Sequence, residues 1–239
     1  MLISIDKDNK LLTCNKQDKR FLNILGLIKN GTNVKLYTDG NGSVGLVENN
    51  HTLCFVTENL AFVDEVVSTV SGEITFCGVS NAILQHLKEN YQLNWVTRCG
   101  LYAYNGASFD QIEVADVAIK PMDAKYWQLV SDGTYYHADQ EDIEECLANR
   151  VSSAVYVDGK PVCWCLMHHE NSLGMLYTLP EHRRKGYALA VMVDICKKIV
   201  ANGECPYGYI VKGNTASEQL AKYYNLQYFF DANWCGTEK

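Results

Sequence analysis

The chain has 239 residues and a mass of 26.9 kDa, enough for one large domain or two small ones. Apolar residues make up 47% and charged residues 21%, which excludes wholesale disorder and allows a sizeable core without disulfide or metal staples. The formal net charge is −7, divided as −3 and −4 about a cut near residue 115. Neither half carries the basic footprint of a duplex-binding protein, so no nucleic acid is expected as a partner.

The start, Met1-Leu-Ile-Ser-Ile-Asp6, lacks a basic region followed by a long apolar stretch, so no secretory leader is expected. No unbroken apolar window is long enough to span a membrane. The 10 cysteines are scattered, mostly inside apolar runs, with no Cys-x-x-Cys pair. They read as buried thiols in a reducing compartment, and a cytoplasmic protein is expected.

In chain order, Phe21, Leu22, Leu25 and Ile28 recur at helical spacing and predict a helix from about Asp18 to Lys29, stopped at Gly31. Val34–Thr38, Ser43–Val47 and Leu53–Thr57 read as strands, the first two joined by the turn signal Asp39-Gly-Asn-Gly42. Asn59 is a cap for a helix to about Val70. Ile74–Val79 reads as a strand, Asn81 to about Glu89 as a short helix, and Leu93–Val96 as a strand. Asn105-Gly-Ala-Ser108 is the best linker candidate.

The second half opens with a predicted strand over Val114–Ile119, a helix after Pro121-Met-Asp123, and a loop at Tyr135-Tyr-His137. Asp139 to Leu147 is an acidic helix whose first-turn carboxylates suit the helix dipole. Val151–Val157 and Val162–Met167 form a hairpin about Asp158-Gly159, and Leu173–Leu179 is a strand. A helix over Tyr187–Ala201, a strand over Tyr207–Val211, a helix over Thr215–Tyr224 and a strand over Tyr228–Phe230 complete the reading.

An offset of 133 places Asn81, Leu87, Tyr91, Leu93 and Trp95 on Asn214, Leu220, Tyr224, Leu226 and Tyr228. This suggests two related α/β halves, the first a diverged copy of the second. Unrelated halves sharing a common helix–strand element would show the same pattern.

The stretch with specific chemistry runs from Leu173 to Ala190. A strand stops at Pro180, and six residues later a helix begins behind Arg183, Arg184, Lys185 and Gly186. Unpaired N–H groups of a first helical turn favour an anion, Gly186 lets a phosphate approach the backbone, and the cations add local positive charge. From Leu189 to Val200 the only charged residues are Asp194, Lys197 and Lys198, one narrow stripe, so this helix is expected to be mostly buried. A solvated basic turn before a core helix would use the same residues. Neither a Walker loop nor a dinucleotide fingerprint is present.

Arg183-x-x-Gly186-x-Ala188, preceded by a strand and Pro180, resembles the pyrophosphate loop of the GCN5-related N-acetyltransferase (GNAT) superfamily. Pro161-Val-Cys-Trp-Cys-Leu-Met167, Tyr177-Thr-Leu-Pro-Glu-His-Arg183 and Asn233-Trp-Cys235 are similar to the C-terminal domain of glycine N-acyltransferase-like proteins. The resemblance implies an α/β (α+β) fold of two tandem GNAT-like domains. Each would be a mixed, largely antiparallel sheet flanked by helices, the first degenerate over 1–110 and the second catalytic over 114–239, with splayed central strands. The offset places Gly45–Phe55 opposite the cationic turn, without an arginine, so the first half is not expected to bind CoA through such a loop.

The resemblance further implies that a CoA arm lies between Leu173–Leu179 and Tyr207–Val211, paired with backbone near Tyr177, Thr178 and Leu179. Arg183, Arg184, Lys185, Gly186, Tyr187 and Ala188 would hold the diphosphate. Asn214 would contact CoA or act as a plain helix cap. Transfer to an amine needs a base, an amide donor to the oxyanion and an acid for the thiolate. The family's glutamate falls on Ser172 here, which leaves Glu170 as the preferred base, with His168 and His169 beside it, although a surface turn is the commoner use of such a residue. Tyr223 and Tyr224 are the candidate acids.

Cys163, Cys165 and His169 alternate on one strand and could approach a metal, but no fourth ligand is evident, so no metal is expected. Packing fits the two cysteines better than a nucleophilic role. Tyr135, Tyr136, His137 and the acidic run from Asp139 to Glu145 are acceptor-wall candidates. The expected activity is acyl-CoA-dependent N-acyl transfer, with acetyl-CoA as donor and a small amine or amino acid as acceptor. The alternative is a non-catalytic CoA-binding sensor or interaction protein.

Overall fold

The computed structural model describes residues 2–15, 17–133 and 139–237. In chain order the elements are β1 (Ile3–Ile5), α1 (Lys10–Cys14), α2 (Leu22–Asn30), β2 (Val34–Thr38), β3 (Val44–Glu48), β4 (Thr52–Val56), α3 (Leu60–Val67), β5 (Ile74–Val79), α4 (Asn81–Asn90), β6 (Trp95–Thr97) and β7 (Cys99–Tyr104). Then come β8 (Ile119–Lys120), α5 (Trp127–Asp132), α6 (Gln140–Asn149), β9 (Ser153–Val157), β10 (Lys160–Met167), β11 (Leu173–Thr178), α7 (Tyr187–Ala201), β12 (Tyr207–Val211), α8 (Thr215–Tyr223), β13 (Leu226–Asp231) and β14 (Asn233–Thr237). Two compact units result: residues 1–101 with 209–214 and 228–239, and residues 102–208 with 215–227.

Both sheets have seven strands and one plan. The first is ordered β1-β2-β3-β4-β5-β14-β6, and the second, read from its far edge, β8-β9-β10-β11-β12-β7-β13. The first four strands of each are antiparallel, followed by one parallel pair, β4 with β5 and β11 with β12. The sixth place is filled from elsewhere in the chain. Strand β14 follows β13 yet sits in the first sheet, and β7 follows β6 yet sits in the second. This is the mixed, largely antiparallel pair of sheets expected. The 133-residue offset maps β5, α4 and β6 onto β12, α8 and β13, so both copies fold alike.

The first sheet is buried on both faces. Phe62, Val63 and Val66 of α3 with Ile83 and Leu87 of α4 cover one face; Leu12, Phe21, Ile24 and Leu27 cover the other. In the second unit Val130, Ile143 and Cys146 pack on Trp164 and Leu166 of β10. Asn59 and Ser80 cap α3 and α4 by accepting N–H bonds from Phe62 and Ile83. The turn at Asp158-Gly159 has φ of 50° and 76°, both left-handed as a tight hairpin requires.

Several elements differ from expectation. The first helix is shorter, running over Leu22–Asn30 after a single tight turn at Lys19–Phe21. Strands β1, β7 and β14 and helix α1 are additional. The strand expected over Val114–Ile119 shrinks to Ile119–Lys120, because only those residues find partners, Val155 and Ala154. The expected loop at Tyr135, Tyr136 and His137 lies outside the described residues. All 10 cysteines are free, and 8 of them are buried.

Candidate active site

Strand β11 is bent before it reaches the cationic turn. Opposite Trp164 and Leu166 of β10 stand Tyr177 and Gly174, so β11 carries one extra residue there, with Met175 at φ 53°. On its other side, β11 pairs with β12 only at Leu173 opposite Gly208. The equivalent pair in the first sheet holds over three positions, Thr52, Leu53 and Cys54 against Thr75, Phe76 and Cys77. Strands β11 and β12 are thus splayed beyond Leu173, whereas β4 and β5 stay zipped.

Beyond the strand, the Leu179 N–H donates to Val162 O at 2.9 Å, and a tight turn over Pro180–His182 follows. Arg184 and Gly186 both take left-handed backbone, φ 59° and 79°, with Lys185 between them. Such kinks turn successive N–H groups to one side, the geometry of an anion-binding nest. A left-handed non-glycine residue costs about 1–2 kcal/mol, so Arg184 stores strain at this point. Gly186 then caps α7, whose first bond runs from the Ala190 N–H to Gly186 O at 3.1 Å. The N–H groups ahead of Ala190 stand outside that ladder. Helix α7 buries Ala190, Val191, Met192, Val193, Ile195, Cys196 and Ile199, the expected mostly buried helix.

A cavity of about 390 Å³ opens here, lined by Leu176, Tyr177, Thr178, His182, Arg183, Arg184, Gly186, Tyr187, Ala188, Leu189 and Leu220. Seven of the ten expected cofactor residues line it: Tyr177, Thr178, Arg183, Arg184, Gly186, Tyr187 and Ala188. Leu179, Lys185 and Asn214 are not among its walls; Leu179 is turned into the hairpin bond with Val162, and Lys185 and Asn214 are exposed. Arg183 folds back on β11, its Nε donating to Thr178 O at 3.0 Å and its guanidinium 5.5 Å from the Tyr177 ring centroid. Sequence reasoning missed His182, which stacks near Tyr187 and whose Nδ1 is buried with no partner among the described residues. Its place in Pro180-Glu-His-Arg183 was the available signal. Leu176, Leu189 and Leu220 carried none, since tertiary packing alone brings them together.

The candidate base lies in the β10–β11 turn. Glu170 is 7% exposed, its carboxylate accepts the Ser172 hydroxyl, and its carbonyl accepts the Tyr207 hydroxyl. The turn is closed by the His168 N–H donating to Ser172 O at 2.8 Å. A Cβ at Gly174 would meet the His168 ring at 1.8 Å, so the imidazole lies directly against β11 just before the extra residue. His169 Nδ1 is 3.8 Å from Glu145 instead. The two tyrosines part company. Tyr224 is buried and its phenol is pushed well above the ordinary value by that burial, while Tyr223 is 67% exposed, on the helix that sends Leu220 into the cavity.

Cys163 and Cys165 are fully buried; desolvation pushes the Cys163 thiol up to about 11 and the Cys165 thiol well up. Thiols held protonated are packing groups rather than nucleophiles. Among the described residues no group of three or more His, Cys, Asp or Glu could hold a metal ion. The acceptor-wall candidates Tyr135, Tyr136 and His137 lie outside the described residues. On α6, Asp139 caps the helix through the Asp142 N–H. Burial pushes the Glu145 carboxyl up, and the bonds and charge of Arg150 outweigh that and hold it below the ordinary value.

In the first unit the connection corresponding to the cationic turn is Thr57-Glu58-Asn59, between β4 and α3. The 133-residue offset misplaces it at Gly45–Phe55, because this connection is shorter than its counterpart. It has no cation, and the strands beside it do not splay.

Taken together, these features define a GNAT fold present twice, with an open cationic turn in the second copy only. Residues 157–235 match the family model described as FR47-like protein. A solved structure of a Drosophila protein superposes with a TM-score of 0.82 at 16% identity, covering 98% of this chain and 97% of the other. A GNAT-family acetyltransferase from Colwellia psychrerythraea gives 0.56 at 12% identity over 100% of both chains. A tandem GNAT protein from the clavulanic acid biosynthesis pathway gives 0.59 at 8% identity, over 100% of this chain and 98% of its own. The chain has the tandem GNAT fold. No helix among the described residues is long and apolar enough to cross a membrane.

Proposed function

We propose that the chain is an acyl-CoA-dependent N-acyltransferase, with acetyl-CoA as donor and a small primary amine or amino acid as acceptor. The observation that carries this reading is the cavity at the α7 N-terminus, walled by the cationic turn and by a β11 that pairs with β12 only at Leu173. In this proposal the second unit, residues 102–208 with 215–227, is the catalytic module and the first unit the degenerate one. Ten free thiols support a reducing, cytoplasmic setting.

In the proposed mechanism the N–H groups from Arg184 to Ala188 grip the diphosphate, and the unpaired edge of β11 bonds the pantetheine amides. Lys185 adds its charge to the turn. Glu170, through Ser172 or His168 and water, takes the proton of the ammonium. The neutral nitrogen then attacks the thioester carbonyl carbon, a backbone N–H at the bend of β11 bonds the oxyanion, and the C–S bond breaks as Tyr223 protonates the thiolate, the adduct nitrogen returning its extra proton through water to the Tyr223 phenolate. Tyr224 serves packing. Release of free thiol from acetyl-CoA with a panel of amines tests the proposal; amine-dependent turnover is expected, and none with any amine would remove it.

One observation favours a second reading, a non-catalytic CoA-binding sensor. Ser172 stands where the family pattern has its glutamate, and both Ser172 and Glu170 are buried. That reading predicts calorimetric binding of acetyl-CoA with no turnover.

A further inference from the structure

A second cavity, of about 320 Å³, lies in the first unit. One face of α4 supplies Asn81, Leu84, Gln85 and Lys88, at the spacing that puts side chains in one row. Arg98, Lys212, Asp231 and Asn233 complete it.

Its charges are unbalanced. Asp231 is covered from three sides, by the Lys212 ammonium, by the Tyr228 hydroxyl at 2.8 Å and by Asn81 Nδ2 at 2.9 Å. These donors hold its carboxyl down at about 2, so it remains a single negative charge at neutral pH. Lys88 and Arg98 have no ion-pair or hydrogen-bond partner for their side chains among the described residues. Three cations against one carboxylate leave +2 in a pocket of a chain whose net charge is −7. The Gln85 amide nitrogen donates to Glu89 Oε1 at 2.6 Å, and the buried Asn233 is fixed by bonds to Val79 O and Asn81 Oδ1. Buried Leu84 supplies the apolar lining. Neither free cation is a relic of the repeat, since the offset of 133 places Ala221 and Asp231 opposite Lys88 and Arg98.

We propose that this cavity binds a small dianion of the phosphomonoester class, with Arg98 as the forked donor and Lys88 as the point charge. A guanidinium matches two phosphate oxygens at once, and a net charge of +2 is met by a dianion but not by a monocarboxylate. The site is separate from the α7 cavity and does not depend on acyl transfer.

The test is an amide NMR titration of the full chain with inorganic phosphate at pH 7.5 and constant ionic strength, with acetate as the monoanion control. Saturable shifts are expected at the side-chain amides of Asn81, Gln85 and Asn233 and at the Arg98 guanidinium, with phosphate binding at least about tenfold tighter than acetate. The double variant Lys88→Ala, Arg98→Ala changes exposed side chains only, so its spectrum elsewhere should be unchanged while phosphate affinity falls at least about tenfold. Shifts confined to the turn around Gly186, wild-type affinity in the double variant, or equal response to acetate would each overturn the proposal.

Discussion

Replacing Gly186 separates the electrostatics of the cationic turn from its conformation. At φ 79°, any L-residue carries a left-handed penalty of about 1–2 kcal/mol. An added Cβ would meet Ala115 Cβ at 3.3 Å, a tight contact that a small shift relieves. Gly186→Ala therefore should lower Tm by roughly 3–6 °C in a chain of this size. Gly186→Glu adds the same strain and also a carboxylate facing the proposed diphosphate. At about 5 Å, one repelled charge costs about 1 kcal/mol at the dielectric of water and about 3 kcal/mol at an effective value of 20. With two phosphates exposed to it, the loss of acetyl-CoA affinity should reach at least about 15-fold at the dielectric of water and far more at the lower value, against less than about tenfold for Gly186→Ala. Calorimetric titration of both variants, with thermal melts beside it, reads the two effects separately. Wild-type affinity in Gly186→Glu, or equal losses in both variants, would refute the reasoning.

Cutting the chain near residue 112 should give two fragments that fail to fold alone, because each sheet takes its sixth strand, β14 or β7, from the far side of the cut. Circular dichroism of residues 114–239 would show it, and a cooperatively folded fragment would contradict it. Glu170→Gln keeps an acceptor for the Ser172 hydroxyl but removes the base, so kcat should fall at least about 100-fold with KM for acetyl-CoA little changed. Ser172→Ala removes a donor from the buried Glu170 carboxylate and should destabilise the fold by about 1–3 kcal/mol in urea melts. Glu145→Gln leaves Arg150, whose side chain is 3% exposed, without its carboxylate; about 2 kcal/mol should be lost, less than for a fully buried pair because Glu145 is 38% exposed. Since Glu145 in the folded protein titrates below its ordinary 4.5, its contribution is complete above pH 4.5 and lost as pH falls through the lower value. Acid denaturation of the Glu145→Gln variant should lack that component.

Local chemistry made much of the fold legible. Asp39-Gly-Asn-Gly42 and Asp158-Gly159 force left-handed backbone, so both hairpins could be placed within two residues. The α7 boundaries followed from Gly186 and from the apolar run behind it. Strands β7 and β14 were not legible, and the reason is long-range. Cys99-Gly-Leu-Tyr-Ala-Tyr104 is buried on both faces and shows no alternation, and Asn233–Thr237 becomes a strand only between β5 and β6, elements more than 130 residues earlier. Val114–Ile119 has strand composition but finds no partner until Ile119. At the site, the cationic turn was readable because glycine, proline and charge act locally. Which of Tyr223 and Tyr224 is buried depended on which face of α8 packs inward, and the fold buries Tyr224 while leaving Tyr223 exposed.

A crystal structure with acetyl-CoA bound addresses the central claim most directly. The diphosphate should lie within hydrogen-bond distance of the N–H groups between Arg184 and Ala188, with the thioester sulfur near the bend of β11 at Met175. Ligand density away from that turn, or none at saturating ligand, would contradict it.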